Sequence, residues 1–139
     1  MTPVTLIDTG PLIALLNPQD EYHAWTLAVM RRLPTPLLTS EPVLTETAFL
    51  LARRGGSALQ LFDLIDHAII KVGIRIDHEW PALRDLMGKY PDAPMSLADA
   101  TLVRLSEQHR TCRVLTLDSH FRIYRRHGNK TLPLLMPEA

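Results

Sequence analysis

The sequence is poor in features that would mark several other classes of protein. It contains a single cysteine, Cys112, so neither an internal disulfide nor a zinc site made of thiolates can be built from this chain alone. Its 15 basic and 15 acidic residues balance, and a neutral protein has no long-range field that attracts nucleic acid. Any binding of nucleic acid must therefore depend on a local basic patch.

Long apolar runs are also missing. Stretches such as Ala48–Ala52 are interrupted far short of the roughly 20 residues that cross a membrane. We therefore expect no membrane segment, and the single cysteine favours a reducing cytoplasm as the location. The 139 residues, 46% of them hydrophobic, suit one compact domain with a buried core, so we predict a single domain over residues 1–139.

What the sequence does contain is an alternation of short β-branched or leucine-rich runs with longer helical stretches. This alternation predicts βα units and a mainly parallel sheet. The predicted strands are Val4–Ile7, Leu37–Thr39, Gly73–Ile76, Arg113–Leu117 and Leu132–Leu135. The predicted helices are Pro11–Leu16, Glu21–Leu33, Glu41–Arg53, Ser57–Lys71, Glu79–Tyr90 and Ser96–His109.

Four acids, Asp8, Glu46, Asp99 and Asp118, stand where these elements would bring them to one edge of the sheet. Asp8 and Asp118 end two apolar strands, and parallel sheets bind ligands at the carboxyl ends of their strands. Glu46 and Asp99 lie near the starts of helices, and a crossover helix begins at that same edge. We therefore predict that the four side chains converge.

Gathering ionised carboxylates costs free energy, about 4 kcal/mol per pair at 4 Å and an effective dielectric constant near 20. Protonation or a bound cation must relieve this repulsion. Oxygen ligands suit hard ions, so Mg²⁺ or Mn²⁺ fits the predicted site better than zinc does. Such a site typically activates water and neutralises charge on a phosphodiester during hydrolysis, so the acids predict a nuclease.

Each acid can be given a role in that chemistry. We interpret Asp8 and Asp99 as the principal metal ligands, and Asp118 as a second ligand or the support of a second metal. Glu46 is assigned to orient water or accept its proton. Asp99 also has a structural interpretation, because Ser96 lies three residues earlier and can form a capping box with it.

A helical projection surrounds Asp99 and Glu46 with apolar neighbours. A carboxylate that faces a core is costly unless it is paired, hydrogen-bonded or bound to a cation, which favours a functional role. The same pattern occurs at Asp66, but that residue lies in mid-helix and follows another helix rather than a strand. Thr9 and Thr116 could tune the site by hydrogen bonding, although ordinary turn hydroxyls explain them equally well.

These motifs together resemble the PIN domain. The resemblance runs from about Val4 to Phe121, with the four acids in the order and spacing of the family, and is carried by Asp8-Thr9-Gly10-Pro11-Leu12, Thr45-Glu46, Ser96-Leu97-Ala98-Asp99-Ala100 and Thr116-Leu117-Asp118-Ser119-His120-Phe121. It implies a three-layer α/β/α domain with a central, mainly parallel five-stranded sheet. It also implies a metal-dependent ribonuclease, expected to act as an endonuclease.

The small size of the chain is similar to that of the VapC-type toxins within this family. That similarity implies an RNA substrate, a homodimer and an antitoxin protein as partner. For RNA phosphates, the sequence offers four basic residues after Asp118, namely Arg122, Arg125, Arg126 and Lys130, with Arg53-Arg54 as further candidates. A solvated basic face is the alternative interpretation. His120 is expected to have a structural or surface role.

Two other functions remain open from the sequence. A catalytically silent PIN-like module could use the acids to hold a structural ion while it binds RNA or a protein. An aspartate-based phosphoryl-transfer domain is the other alternative. The chain lacks two residues expected of such a domain. Thr9-Gly10 follows Asp8 where a second aspartate would stand, and no strand-end lysine follows Asp118.

Overall fold

A five-stranded parallel sheet forms the centre of the fold in this computed structural model, which describes residues 2–138. The strands are β1 (Val4–Ile7), β2 (Leu37–Thr39), β3 (Ile70–Val72), β4 (Cys112–Leu115), β5 (Arg125–Arg126), β6 (Lys130–Thr131) and β7 (Leu134–Leu135). The central sheet has the order β3-β2-β1-β4-β7, and β5 pairs with β6 in a separate antiparallel hairpin.

The helices fill the connections between the strands. They are α1 (Thr9–Leu16), α2 (His23–Met30), α3 (Glu41–Arg53), α4 (Leu59–Asp66), α5 (Ile76–Gly88) and α6 (Leu97–Gln108), with a 3₁₀ helix at Ser119–Arg122. Within residues 2–138, no helix is long and apolar enough to span a membrane. The predicted fold class, an α/β/α domain around a mainly parallel five-stranded sheet, is confirmed, and every pairing within that sheet is parallel.

The strand order places the reversal of the chain path between β1 and β4. The chain moves from β1 outward through β2 to β3, and then returns to build β4 and β7 on the other side of β1. Ligands of open parallel sheets bind at such a switch point, outside the carboxyl ends of the strands. Ile7 pairs with Leu115 there, so the residues that follow β1 and β4 begin side by side.

Serine side chains cap the N-termini of two helices near the site. Ser40 caps α3 by accepting a hydrogen bond from the Val43 N–H at 3.4 Å, and Pro42 occupies the first turn, where its missing N–H costs nothing. Ser96 caps α6 by accepting from the Asp99 N–H at 3.0 Å. Both caps lie at the same edge of the sheet as the ends of β1 and β4, so the helix starts face the switch point.

Most predicted elements agree with the structure, but the third strand was wrong, and the helix predicted over Ser57–Lys71 ends earlier, at Asp66, because its last predicted residues belong to β3. We expected Gly73–Ile76, whereas β3 is Ile70–Val72 and α5 already begins at Ile76. The chain reverses at Ala68, which has a positive φ of 56°. Alanine rarely adopts this conformation, so the sequence gives no indication of a turn there. Gly73 follows β3 at a close approach, since a Cβ there would lie 3.1 Å from Leu38.

Candidate active site

Side chains from separate segments line one cavity of about 510 Å³ at the switch point. All four acids singled out in the sequence are among them, together with Thr9, Gly10, Arg54 and a short acidic turn at Asp20 and Glu21. Asp8 follows β1, Glu46 lies on α3, Asp99 lies in the first turn of α6, and Asp118 follows β4. The topology therefore brings residues from distant parts of the chain to a common space.

Asp8 is the most buried of these acids, with 5% of the residue exposed. It stands at the N-cap position of α1, but its carboxylate does not cap the helix; instead Oδ2 accepts a hydrogen bond from the Thr116 hydroxyl at 2.8 Å. Burial raises the pKa of Asp8 to about 7, with Asp99 and Asp118 adding to the rise and hydrogen bonds from Thr116 and the Thr9 backbone opposing it. Asp8 is thus close to half-protonated at neutral pH.

Thr116 connects the ends of β1 and β4. Its Oγ1 donates to Asp8 and accepts a hydrogen bond from the Asp118 N–H at 3.0 Å. Asp118 then caps the 3₁₀ helix, because its Oδ1 accepts from the His120 N–H at 2.9 Å. The His120 ring Nδ1 lies 2.9 Å from the same oxygen, and the ring is exposed. The hydroxyl of Thr116 therefore sets the spacing of two of the acids.

Asp99 has two hydrogen-bond donors on one carboxylate oxygen. Oδ2 accepts from the Ser96 N–H at 3.3 Å, which completes the predicted capping box, and from the Tyr124 hydroxyl at 2.9 Å. Burial raises the pKa of Asp99, and the charge of Asp118 adds to this, while the bonds from Tyr124 and Ser96 oppose it. The capping role therefore coexists with a place in the cavity.

Glu46 differs from the other acids because its side chain is exposed. The expectation that it faces the core was wrong, since the apolar neighbours identified by helical projection do not cover it. Desolvation at the cavity raises its pKa, as do the charges of Asp99 and Asp118. The start of α3 is tied to α6 by a bond of 2.7 Å between the hydroxyls of Ser40 and Thr101. This contact fixes the helix that carries Glu46.

The cavity carries uncompensated negative charge. Within residues 2–138, no lysine or arginine forms a salt bridge with any of the four acids. Carboxylates are the oxygen donors that hard divalent cations prefer, and the Thr9 hydroxyl, which also lines the cavity, is buried without a hydrogen-bond partner. In the described part of the chain, however, no three acidic, histidine or cysteine side chains are already close enough to hold an ion. The donor set therefore fits Mg²⁺ or Mn²⁺ chemically, without a preformed coordination shell.

Three features of the cavity were not found by the sequence reasoning. Tyr124 was not considered, because it stands between Ile123 and Arg125 in a basic segment and no local motif marks it. The Asp20-Glu21 turn beside Tyr22 carried no signal that separates it from any other polar turn. Arg54 was noted only for its charge, and its position at the cavity follows from the end of α3 after Arg53. Asp66, which shared the apolar pattern of Asp99, is exposed on α4 and does not line the cavity.

The four basic residues proposed for RNA do not act as one group. Arg122 and Lys130 are exposed. The guanidinium of Arg125 bends back onto the backbone, where its Nη1 donates to the carbonyl of Arg122 at 2.8 Å and to two others. Arg126 is only 8% exposed, and its Nη2 donates to the carbonyls of Ser106 and His109. A guanidinium held in this way is not free for phosphate, so the expectation for Arg126 was wrong.

Comparison with known proteins identifies a family and structural relatives. The model of the PIN domain family matches residues 5–126. Among solved structures, the chain is similar to VapC20 of Mycobacterium tuberculosis, described as a toxin that cleaves the sarcin-ricin loop, with a TM-score of 0.70 and 26% sequence identity. That match covers 83% of this chain and 90% of the other. A search among curated proteins finds no match.

Proposed function

The chain belongs to the PIN domain family, and we propose that it is a ribonuclease that hydrolyses RNA phosphodiester bonds at the acid cavity with the help of Mg²⁺ or Mn²⁺. The similarity to VapC20, a toxin that cleaves the sarcin-ricin loop, supports this reaction class. The observation that carries the proposal is the convergence of four acids from four segments on one cavity, where no lysine or arginine of residues 2–138 forms a salt bridge with them. Cleavage within the RNA chain, rather than from its ends, is part of the proposal.

Asp8, Asp99 and Asp118 are the residues that would hold the cation, and Glu46 is the candidate proton acceptor. A bound divalent ion supplies positive charge that offsets the carboxylates and stabilises charge developing on the phosphate. Thr116 holds Asp8 and Asp118 at a fixed spacing through its two hydrogen bonds. Glu46 is exposed and desolvation at the cavity raises its pKa, two properties that suit a group taking a proton from the attacking water.

RNA would reach the cavity past exposed cationic side chains. Arg54 lines the cavity itself, and a guanidinium beside an acidic site can bind the phosphate on either side of the cleaved bond. Arg122 and Lys130 are exposed and can add phosphate contacts, with Arg125 in a secondary role because its guanidinium is engaged with carbonyls. Because the protein has no net charge, we expect weak, salt-sensitive binding dominated by these few contacts.

The toxin role adds two protein partners, an antitoxin and a second copy of the chain. Both need apolar surface, and residues on α3 and α4 provide it, with Phe49 59% exposed and Phe62 58% exposed. Between these helices lies a groove of about 260 Å³ whose lining includes Leu44, Ala48 and Phe62. Aromatic residues of this kind are enriched in protein interfaces, so we propose this surface for one of the two partners.

The proposal is tested by incubating the purified protein with structured and unstructured RNA in Mg²⁺, Mn²⁺ or EDTA. Asp8→Asn and Asp99→Asn variants, checked for folding, serve as the inactive forms, and Asp66→Asn is the matched control on an exposed helix face. Internal fragments that require both metal and the two acids support the nuclease. A folded protein that cleaves no RNA, including the sarcin-ricin loop, would favour the silent RNA-binding or protein-binding module instead.

A further inference from the structure

Tyr124 is a fully buried residue whose hydroxyl ends at an acid of the cavity. It is 0% exposed and follows the 3₁₀ helix that begins after Asp118. Its ring makes edge-to-face contacts with Tyr90 and Phe121, with centroids 5.2 Å and 5.3 Å away. From this packed position the hydroxyl donates to Asp99 Oδ2 at 2.9 Å. The hydrogen bond thus reaches Asp99 from a rigid aromatic support.

The hydrogen bonds to Asp99 distinguish its two oxygens. The Tyr124 hydroxyl and the Ser96 N–H both bind Oδ2, and they approach it from different elements of the fold. The terminal torsion of an aspartate is otherwise broad, so a lone carboxylate samples many orientations. Two donors on one oxygen restrict that rotation. They leave Oδ1 as the oxygen available to a ligand in the cavity that Asp99 lines.

We propose that Tyr124 is a positioning residue that holds the Asp99 carboxylate in one orientation for binding a divalent cation. The proposal rests on the proposed function, because it takes Asp99 as a metal ligand. Hydrogen-bond partners that orient a metal ligand typically contribute 10- to 100-fold to metal affinity or activity. Tyr124 acts through Asp99 and does not line the cavity itself.

Tyr90 provides a matched control within the same aromatic cluster. Its ring packs against Tyr124, and its hydroxyl accepts a hydrogen bond from the Arg125 N–H at 2.9 Å. Tyr90→Phe and Tyr124→Phe therefore each remove one hydroxyl, and one hydrogen bond, from neighbouring rings. They differ in that only Tyr124 contacts an acid of the cavity. A purely structural role for both hydroxyls would give both variants the same effect on metal binding.

The first measurement is Mn²⁺ binding to the full-length protein, followed by electron paramagnetic resonance of free Mn²⁺. We expect Tyr124→Phe to weaken binding by about 10-fold and Tyr90→Phe to change it by less than about twofold. In cleavage assays, Tyr124→Phe should raise the Mn²⁺ concentration needed for half-maximal rate by a similar factor. Its KM for RNA should be unchanged, and excess Mn²⁺ should restore kcat. Equal Mn²⁺ affinity in Tyr124→Phe and the unmodified protein would overturn the proposal.

A double-mutant comparison tests whether Tyr124 acts through Asp99. In an Asp99→Ala background, removing the Tyr124 hydroxyl should cause no further loss of Mn²⁺ affinity, because Tyr124 affects metal binding only through Asp99. An additional loss of the same size as in the unmodified protein would show that Tyr124 acts elsewhere, and would contradict the proposal.

A spectroscopic measurement avoids any dependence on the folding of Tyr124→Phe. The chain has three tyrosines, so protein labelled with ¹³C at tyrosine Cζ gives three resonances, which Tyr22→Phe and Tyr90→Phe assign by elimination. Addition of Mg²⁺ should shift the Tyr124 resonance, whose hydroxyl binds a ligand carboxylate, and leave that of Tyr90 in place. An unmoved Tyr124 resonance at saturating Mg²⁺ would count against the proposal.

The outcomes separate this inference from the proposed function. If the protein cleaves RNA and Tyr124→Phe has normal metal dependence, the ribonuclease stands and the positioning role is wrong. If no RNA is cleaved but Tyr124→Phe selectively weakens Mn²⁺ binding, the positioning role stands and the ribonuclease is wrong. A folded protein that neither cleaves RNA nor binds Mn²⁺ contradicts both.

Discussion

The acid cavity and the basic segment 122–130, which follows the last of its acids in the chain, use their charges differently. The acids reach the cavity from four segments, and the most buried of them, Asp8, has hydrogen-bond donors but no cationic partner within residues 2–138. In the basic segment, Arg125 and Arg126 donate to backbone carbonyls, and only Arg122 and Lys130 are exposed. Charged residues counted in a sequence can therefore serve either chemistry or structure. Burial and hydrogen-bond partners decide which.

The sharpest test of the acid cavity compares cleavage by a variant of a cavity acid with cleavage by a variant of an exposed acid elsewhere. Asp8→Asn should lower kcat by about 10²- to 10³-fold, because removing one group from a preorganised electrostatic site typically costs a factor of this order. Asp66→Asn should remain within about twofold of the unmodified protein, since Asp66 is exposed on α4. The measurement is single-turnover cleavage in Mn²⁺. An Asp8→Asn enzyme with near-normal kcat would remove the acid cavity from the mechanism.

Unpaired acids should also make the metal-free protein less stable at high pH. The folded-state pKa of Asp8 is about 7, above its usual 3.8, so the folded protein binds the extra proton between these values. The resulting stabilisation is complete below about pH 4 and is lost as pH rises through about 7, with an upper limit of roughly 4 kcal/mol. Burial raises the pKa of Asp99 as well, which acts in the same direction.

Urea unfolding in EDTA between pH 5 and pH 8 measures this loss. In Asp8→Asn the loss should be smaller than in the unmodified protein, and Mg²⁺ should restore stability at pH 8 because it binds the folded state. Asp66→Asn is the control for a change of one charge. If stability in EDTA rises from pH 5 to pH 8 by equal amounts in the unmodified protein, Asp8→Asn and Asp66→Asn, burial does not raise the pKa of Asp8.

In the basic segment 122–130, Arg126→Met should lower the free energy of unfolding without changing RNA binding. The change leaves the carbonyls of Ser106 and His109 without their charged donor, and the loss of such buried hydrogen bonds costs about 2 kcal/mol. Urea unfolding measures this, and the salt dependence of RNA binding should stay as in the unmodified protein. A reduced salt dependence in a fully folded Arg126→Met protein would return this residue to the RNA surface.

The smallest expected effect belongs to the exposed cations. Arg122→Ala should leave stability within about 0.5 kcal/mol, because the side chain is exposed. It should weaken RNA binding uniformly across sequences and reduce the slope of log K against log salt by about 0.7. Lys130→Ala is expected to do the same, and Arg126→Met is the contrast. An unchanged slope in both alanine variants would place the RNA elsewhere on the protein.

The sequence was informative where local chemistry decides the structure. The apolar runs located β1 and β2, the Ser96 cap located the start of α6, and the order of the acids indicated which sheet edge they share. Prediction from the sequence failed where packing between distant segments determines burial and contacts. Helical projection could not show that Glu46 is exposed, because this depends on what packs against α3. The burial of Arg126 depends on the end of α6, and the Tyr124–Asp99 bond joins residues 25 positions apart, so neither leaves a local pattern.

The hydrogen bond between Thr116 and Asp8 spans 108 positions of the chain, which has a consequence for synthesis of the protein. Because β4 follows β1, β2, β3 and helices α1 to α6 in the chain, a growing chain on the ribosome contains Asp8 and Glu46 long before it contains the strand that brings Asp118 to them. We therefore expect a nascent or prematurely ended chain that lacks β4 to be inactive. For the proposed ribonuclease, this late assembly would protect the ribosome and message that are still producing it.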